Sequence, residues 1–160
     1  MNAAVLTVSD GVAAGVREDR SGDLLTELLE AEGYVVGRRI VADEVDAIAD
    51  AIVELAAGAR LVLTTGGTGV APRDVTPEAT RSVLDREAPG IAQAIRADAI
   101  ARTPHGLLSR GLAGIHGRTL VVNLPGSTGG CRDCFEVLRP ALAHALALIA
   151  DEQTAHRQTT

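Results

Sequence analysis

The stretch Leu61–Ala79, LVLTTGGTGVAPRDVTPEA, decides the fold. It opens on LVLTT, an apolar run of the kind that forms a central parallel strand covered on both faces. It passes directly into GGTG, a turn rich in backbone N–H groups that face no side-chain bulk and favour an anion. Thr76-Pro77-Glu78 then reads as a helix start. Thr caps, Pro takes the first helical position and Glu lies at the positive end of the helix dipole. Strand, glycine turn and helix in succession are the unit of an α/β fold. One residue is out of keeping with an anion site: Asp74 places a carboxylate beside the phosphate cradle, which calls for a cation between them.

The same alternation extends to both sides. Ala3–Val8 reads as a strand. Ser21 reads as the cap of a helix with Leu24, Leu25, Leu28 and Leu29 on one face, closed by Gly33. Tyr34–Val41 is a second strand, and Val45, Ile48, Ala49, Ile52 and Leu55 mark a second helix closed by Gly58. Arg60–Thr65 is the third strand. The helix opening at Thr76 is expected to run to about Arg86, and another spans Ile91 to Arg102. Residues 103–111 read as a loop. Leu112–Ile115 and Arg118–Leu124 form a hairpin or two short strands. After NLPGSTGG comes a helix with Phe135, Leu138, Leu142 and Ile149 inward, which Pro140 should kink or restart. Residues 151–160 are a polar tail expected to fray. Neither an internal repeat nor a linker interrupts residues 1–150. The expectation is therefore a single α/β domain, a three-layer sandwich around a largely parallel central sheet.

Composition excludes several function classes. The chain has 160 residues, enough for one domain with a substantial core. Lysine is absent, so there is no P-loop lysine, no Schiff-base lysine and no Ser-Lys dyad. Tyr34 and Phe135 are the only aromatics, too few for a stacking platform, and the net charge of −6 disfavours nucleic acid as a partner. No apolar run approaches the length of a membrane span. The opening AAVLTVS reads as a strand and lacks the features of a signal peptide, so a soluble, cytoplasmic protein is expected. Cys131 and Cys134 are spaced CxxC; they read as two small residues in the first turns of a helix in preference to a redox pair.

In open α/β sheets ligands bind beyond the carboxyl ends of the strands. Those ends are SDG at Ser9–Gly11, ADE at Ala42–Glu44, TGGTG at Thr65–Gly69 and NLPGS at Asn123–Ser127. Asp10, Asp43 and Asp74 are expected to converge on the same rim. Each has a structural alternative: an Asx-turn for Asp10, a cap of the helix near Val45 for Asp43, a brace of its own loop for Asp74. Together, acids beside two anion-binding loops point to Mg²⁺ held by carboxylates and substrate phosphates. Familiar fingerprints fail. No GxxxxGK[ST] occurs, Pro72 breaks GxGxxG, and no GxSxG elbow is present.

TVSDG, DRSGDLL, VADE, LTTGGTGVAPRDVTPEA, EAPGIAQAIR, LLSRG and LVVNLPGS occur in an order and spacing that resemble the MogA/MoaB family of molybdenum-cofactor biosynthesis proteins, over roughly residues 3–150. The resemblance implies a molybdopterin adenylyltransferase. Such an enzyme transfers AMP from Mg-ATP to the terminal phosphate of molybdopterin, releases pyrophosphate and hands its product to a molybdate-inserting protein. It also implies a homotrimer, sometimes a hexamer. By motif, Asp43 and Asp74 match the family's essential acids and are the expected Mg²⁺ ligands. Thr65, Gly66, Gly67, Thr68 and Gly69 match its phosphate loop. Ser9, Asp10, Glu78, Asn123, Pro125, Gly126 and Ser127 match further nucleotide-pocket segments, and Ser109 and Arg110 a pterin-side segment. Thr128 and Gly130 depart from a common family form that has Pro and Lys there, with Arg132 as a nearby substitute cation. Two other readings stand beside the enzyme: a paralogue that binds pterin or nucleotide without efficient transfer, and a thiol oxidoreductase using Cys131 and Cys134.

Overall fold

A computed structural model describes residues 2–150. The elements run β1 (Asn2–Val8), α1 (Asp10–Ala13), α2 (Arg20–Ala31), β2 (Val35–Val41), α3 (Val45–Ala56), β3 (Leu61–Thr65), α4 (Thr76–Val83), β4 (Arg86–Glu87), α5 (Pro89–Arg102), a 3-10 turn (Pro104–Leu108), β5 (Ala113–His116), β6 (Thr119–Leu124) and α6 (Thr128–Ile149). The expected polar tail, 151–160, lies outside the described residues. No helix among the described residues is long and apolar enough to cross a membrane.

The strands form one sheet in the order β2-β1-β3-β6-β5-β4. β2, β1, β3 and β6 are mutually parallel, whereas β5 pairs antiparallel with β6 and β4 antiparallel with β5. The largely parallel three-layer sandwich expected from the sequence is what forms. β3 and β6, with neighbours on both sides, are buried along their whole length, as their unbroken apolar runs require. Side-chain alternation splits the core in two. Val5, Leu61, Leu63, Leu120 and Val122 pack against Leu25 and Leu29 of α2 and Phe135, Leu138 and Leu142 of α6. On the opposite face Leu6, Val62 and Val121 meet Ile48 and Ile52 of α3 and Ala79 of α4.

Several boundaries differ from the sequence reading. α2 begins one residue before Ser21, and its cap is Asp19, whose Oδ1 accepts the Gly22 N–H at 3.0 Å. Thr76 is the first residue of α4 and not its cap; its buried hydroxyl donates to the Gly66 carbonyl at 2.9 Å. α4 ends at Val83 because the chain turns extended at Leu84 and enters β4, a two-residue strand too short to show a period. Residues 103–111, expected as loop, contain the 3-10 turn. The hairpin alternative holds for β5 and β6, turning at Gly117 with φ of 56°. Pro140 neither stops nor restarts α6, which is assigned as one continuous helix. The carbonyl it leaves without a donor belongs to exposed Glu136, where water can serve.

Phe135 is fully buried between α6 and the sheet. Phe135→Ala is expected to cost about 3–5 kcal/mol, a fall of roughly 6–20 °C in Tm, measured by thermal denaturation.

Candidate functional site

The parallel registers set the strand ends side by side. Val8 lies opposite Val41, Thr7 opposite Thr65, and Thr65 opposite Leu124. The segments that leave β1, β2, β3 and β6 therefore emerge together. Chain order reverses between β1 and β3, because β1 leads outward to β2 on one side while β3 lies on the other. A crevice at such a reversal is where open α/β sheets bind ligands. Here it is a cleft of about 840 Å³.

Of the residues expected from the sequence, Ser9, Asp43, Thr65, Gly66, Gly67, Asp74, Gly126 and Ser127 line this cleft. Its floor depends on glycine. Gly66 has φ of 100°, and a Cβ there would stand 2.2 Å from the Val8 carbonyl oxygen. Gly67, with φ of 65°, passes just as closely over the Thr76 hydroxyl, 2.4 Å from where its Cβ would lie. The opposite wall is the start of α6. Ser127 caps it by accepting the Gly130 N–H at 3.2 Å, and Thr128 faces the cleft. A first helical turn and a glycine loop together present backbone donors to an anion.

The acids are held differently. Asp43 and Asp10 clasp one another: the Asp10 N–H donates to Asp43 Oδ2 at 2.8 Å, and the Asp43 N–H to Asp10 Oδ1 at 3.0 Å. Asp43 is not the cap of α3; that position is Glu44, whose side chain makes no cap bond. Partial burial pushes the Asp43 carboxyl above its usual range, and the Asp10 and Asp74 carboxylates add to the effect against the opposing Asp10 N–H bond and Arg73. Asp10 is lowered, first by its bond to Arg73 and then by the Asp43 N–H. Asp74 braces its own turn, with Oδ2 accepting the Ala71 N–H at 2.9 Å. The Oδ1 atoms of Asp43 and Asp74 have no hydrogen-bond partner among the described residues. Two carboxylates with an oxygen each to offer, beside a phosphate-accepting loop, fit a Mg²⁺ completed by substrate oxygens. No cluster of three or more metal-ligating side chains occurs among the described residues, so a protein-only cage is not what the site offers.

The remaining expected residues are not among those lining the cleft. Arg110 donates to the carbonyls of Gly69 and Asp74, each at 2.6 Å, and pairs with Glu78. Its own N–H bonds the Thr68 carbonyl at 2.9 Å, so it braces the glycine loop from behind. The Arg110 bond holds the Glu78 carboxyl below its usual range. The Ser109 carbonyl accepts from Arg96 at 3.0 Å. Asn123 is buried and fully engaged: its amide donates to the hydroxyls of Thr64 and Thr80, and its oxygen accepts the Leu112 N–H. The Pro125 carbonyl accepts the Thr65 hydroxyl at 2.8 Å. Asp10 reaches the cleft only through Asp43. Arg132 is exposed and outside the lining, and the cations that line the cleft are Arg17 and Arg20.

Sequence reasoning missed Arg17, Arg20, Ser21 and above all Asp19 as cleft residues. Asp19 accepts the Thr7 hydroxyl at 2.8 Å while capping α2, tying that helix to the end of β1. Its signal was available in DRSG. An Asp three residues before Gly is the spacing of a cap bond, and Gly22 is required because a Cβ would lie 2.3 Å from Asp19 Oδ2. Cys131 and Cys134 are free and buried in the first turns of α6. Burial pushes their thiols up to about 11 and about 12, so both stay neutral where a redox pair needs a thiolate. The Cys131 thiol donates to the Pro125 carbonyl at 3.0 Å, beneath the turn that leads into α6.

A doubly wound α/β sheet with an acid-flanked, glycine-floored cleft at its reversal point places that cleft where open α/β sheets bind ligands. Comparison with known proteins narrows the class. A family described as "Probable molybdopterin binding domain" matches residues 4–144. The cinnamon molybdenum cofactor synthesis protein of Drosophila melanogaster is 43% identical across 97% of this chain, which spans only 26% of that protein's length. A molybdopterin adenylyltransferase of Helicobacter pylori strain J99 is 39% identical, across 91% of this chain and 85% of that one. The crystal structure of MoaB from Thermus thermophilus superposes with a TM-score of 0.88 at 44% identity, covering 94% of this chain and 96% of that one. The chain belongs to the MogA/MoaB family of molybdenum-cofactor biosynthesis proteins.

The closeness of Gly66 to Val8 yields a specific expectation. Gly66→Ala forces the backbone out of its left-handed conformation, at a cost of about 1–3 kcal/mol before any clash is counted. It should lower Tm. Gly126→Ala, whose Cβ would meet nothing nearer than 3.4 Å, should melt close to the parent. Calorimetry of both variants beside the parent makes the comparison.

Proposed function

We propose that the protein is a molybdopterin adenylyltransferase, moving AMP from ATP to the terminal phosphate of molybdopterin with release of pyrophosphate. The observation that carries this reading is the placement of Asp43 and Asp74 in one cleft with the Gly66–Gly67 turn and the start of α6. The H. pylori relative's name supports the same reaction.

In this reading the two walls have separate tasks. The glycine turn and the first turn of α6 hold phosphate oxygens through backbone donors, which need no reorganisation as charge moves during the reaction. Arg17 and Arg20 add positive charge to a cleft that also contains Glu18 and Asp19. Asp43 and Asp74 are the residues to hold Mg²⁺. The ion supplies charge neutralisation for phosphates that must approach one another and for the departing pyrophosphate. The attacking group is a phosphate oxygen that is already anionic. No protein nucleophile is needed, in keeping with thiols that are buried and neutral. Gly66 and Gly67 let the transferring phosphate approach the backbone, and the Asp43–Asp10 clasp keeps a carboxylate aimed at it. A homotrimer in the cytoplasm, with hand-over of the product to a molybdate-inserting protein, completes the proposal; light scattering at micromolar concentration tests the assembly.

The deciding experiment incubates purified protein with molybdopterin and Mg-ATP and follows adenylylated pterin and pyrophosphate. Product supports the enzyme; binding of both ligands without product identifies a paralogue that only binds. Asp43→Asn and Asp74→Asn keep size and one acceptor oxygen but lose the ionised group. Each is expected to fold, to bind molybdopterin and to slow single-turnover adenylylation on the order of 10²–10³-fold, about 2.7–4 kcal/mol. A destabilised but fully active variant would make that residue a loop brace.

A further inference from the structure

Arg73 immediately precedes Asp74 in the loop between β3 and α4, yet it is not among the residues lining the cleft. Its guanidinium reaches over to the two neighbouring loops. Nε and Nη2 donate to Oδ2 and Oδ1 of Asp10 at 3.0 and 2.9 Å, a two-pronged hold. Nη2 also lies 3.0 Å from Glu44 Oε1, on the residue that follows Asp43. One planar fork therefore ties the turn after β1, the turn after β2 and the loop after β3.

A gain in fold stability does not account for this arrangement. The three side chains are 57%, 47% and 62% exposed for Arg73, Asp10 and Glu44, and ion pairs so exposed contribute little to stability. The geometry has a different consequence. The only hydrogen bond the Asp43 carboxylate accepts among the described residues comes from the Asp10 N–H, and the Asp43 N–H is taken by the same Asp10 carboxylate that Arg73 grips. Asp74 is fixed within its own turn by Ala71. Asp43 has no comparable local anchor. It belongs to an acidic corner with Asp10 and Glu44, whose mutual repulsion would splay the turns if no cation bridged them.

We infer that Arg73 is a positioning residue for Asp43: by holding Asp10 and Glu44 it keeps the Asp43 carboxylate aimed into the cleft. The inference rests on Asp43 acting in the reaction proposed above. Lysine is not equivalent at this position, because a point charge cannot hold both Asp10 oxygens and Glu44 in one plane.

The test compares Arg73→Ala, Arg73→Lys, Asp43→Asn and the Arg73→Ala/Asp43→Asn double variant. Tm, single-turnover adenylylation and Mn²⁺ binding by electron paramagnetic resonance, with a non-hydrolysable ATP analogue present, are read on the same preparations. Arg73→Ala is expected to melt near the parent and to react on the order of 10–100-fold more slowly, as misplacement of a reacting group does. It should also bind Mn²⁺ more weakly, with Arg73→Lys between it and the parent. The double variant should be no slower than Asp43→Asn alone, because the second substitution has nothing left to misplace. Parental turnover and Mn²⁺ binding in Arg73→Ala, beside a slow Asp43→Asn, would overturn the inference and leave the proposed function standing. A double variant slowed by the product of the two single effects would overturn it too, by showing that Arg73 acts on the substrate directly. Loss of Tm with full turnover in the folded fraction would make Arg73 a staple of the loops. Parental activity in Asp43→Asn would remove this inference together with the role of Asp43 beneath it.

Discussion

The structure depends on the parallel register of β2, β1, β3 and β6. Val8 opposite Val41, Thr7 opposite Thr65 and Thr65 opposite Leu124 leave the ends of these strands within one residue of each other. Turns separated by tens of residues in sequence thereby become neighbours across strand spacings of about 5 Å. A slip of one residue would exchange the two faces of a strand and send each set of core side chains to the wrong side of the sheet. The two-sided core prevents it, because Leu61 and Leu63 belong to one cluster and Val62 to the other. The hydrophobic packing that fixes the fold is thus also what fixes the cleft.

Close approach at those ends has a steric and an electrostatic side. The steric side is met by glycine: the Gly66 turn passes so near the end of β1 that no side chain fits. The electrostatic side is met by hydrogen bonds and an ion pair to the groups that support the turns. Arg110 satisfies the carbonyls behind the glycine loop, Asn123 satisfies the hydroxyls beneath it, and Asp19 joins α2 to Thr7. One oxygen each of Asp43 and Asp74, two residues that line the cleft, has no hydrogen-bond partner among the described residues.

Residues that share a motif divide into two roles once folded. RDVTPEA contains Asp74, which lines the cleft, and Glu78, which secures Arg110 on the far side of the loop. NLPGS contains Ser127, which caps α6 at the cleft, and Asn123, which lies in the core beneath it. The CxxC pair follows the second pattern. Cys131 and Cys134 face inward from α6, and their burial removes the thiolate on which redox chemistry depends.

Much of this was legible in the sequence. Apolar runs alternating with helical spacing determined the α/β class, and the unbroken run at Leu61–Thr65 determined a central parallel strand. Glycines at Gly66 and Gly67, together with acids at the strand ends, located the cleft. These signals are local, because strand burial, turn conformation and helix starts are set by residues a few positions apart. Other features depended on distant partners. β4 exists only because β5 lies beside it, and Thr76 enters α4 as its first residue because its hydroxyl meets Gly66. Asp19 reaches Thr7 only because α2 packs on the face of the sheet that Thr7 shares. The hold of Arg73 on Asp10, 63 residues away, follows from no spacing in the chain. Side-chain partners across loops are decided by the register of the sheet, and that register is a property of the packed core.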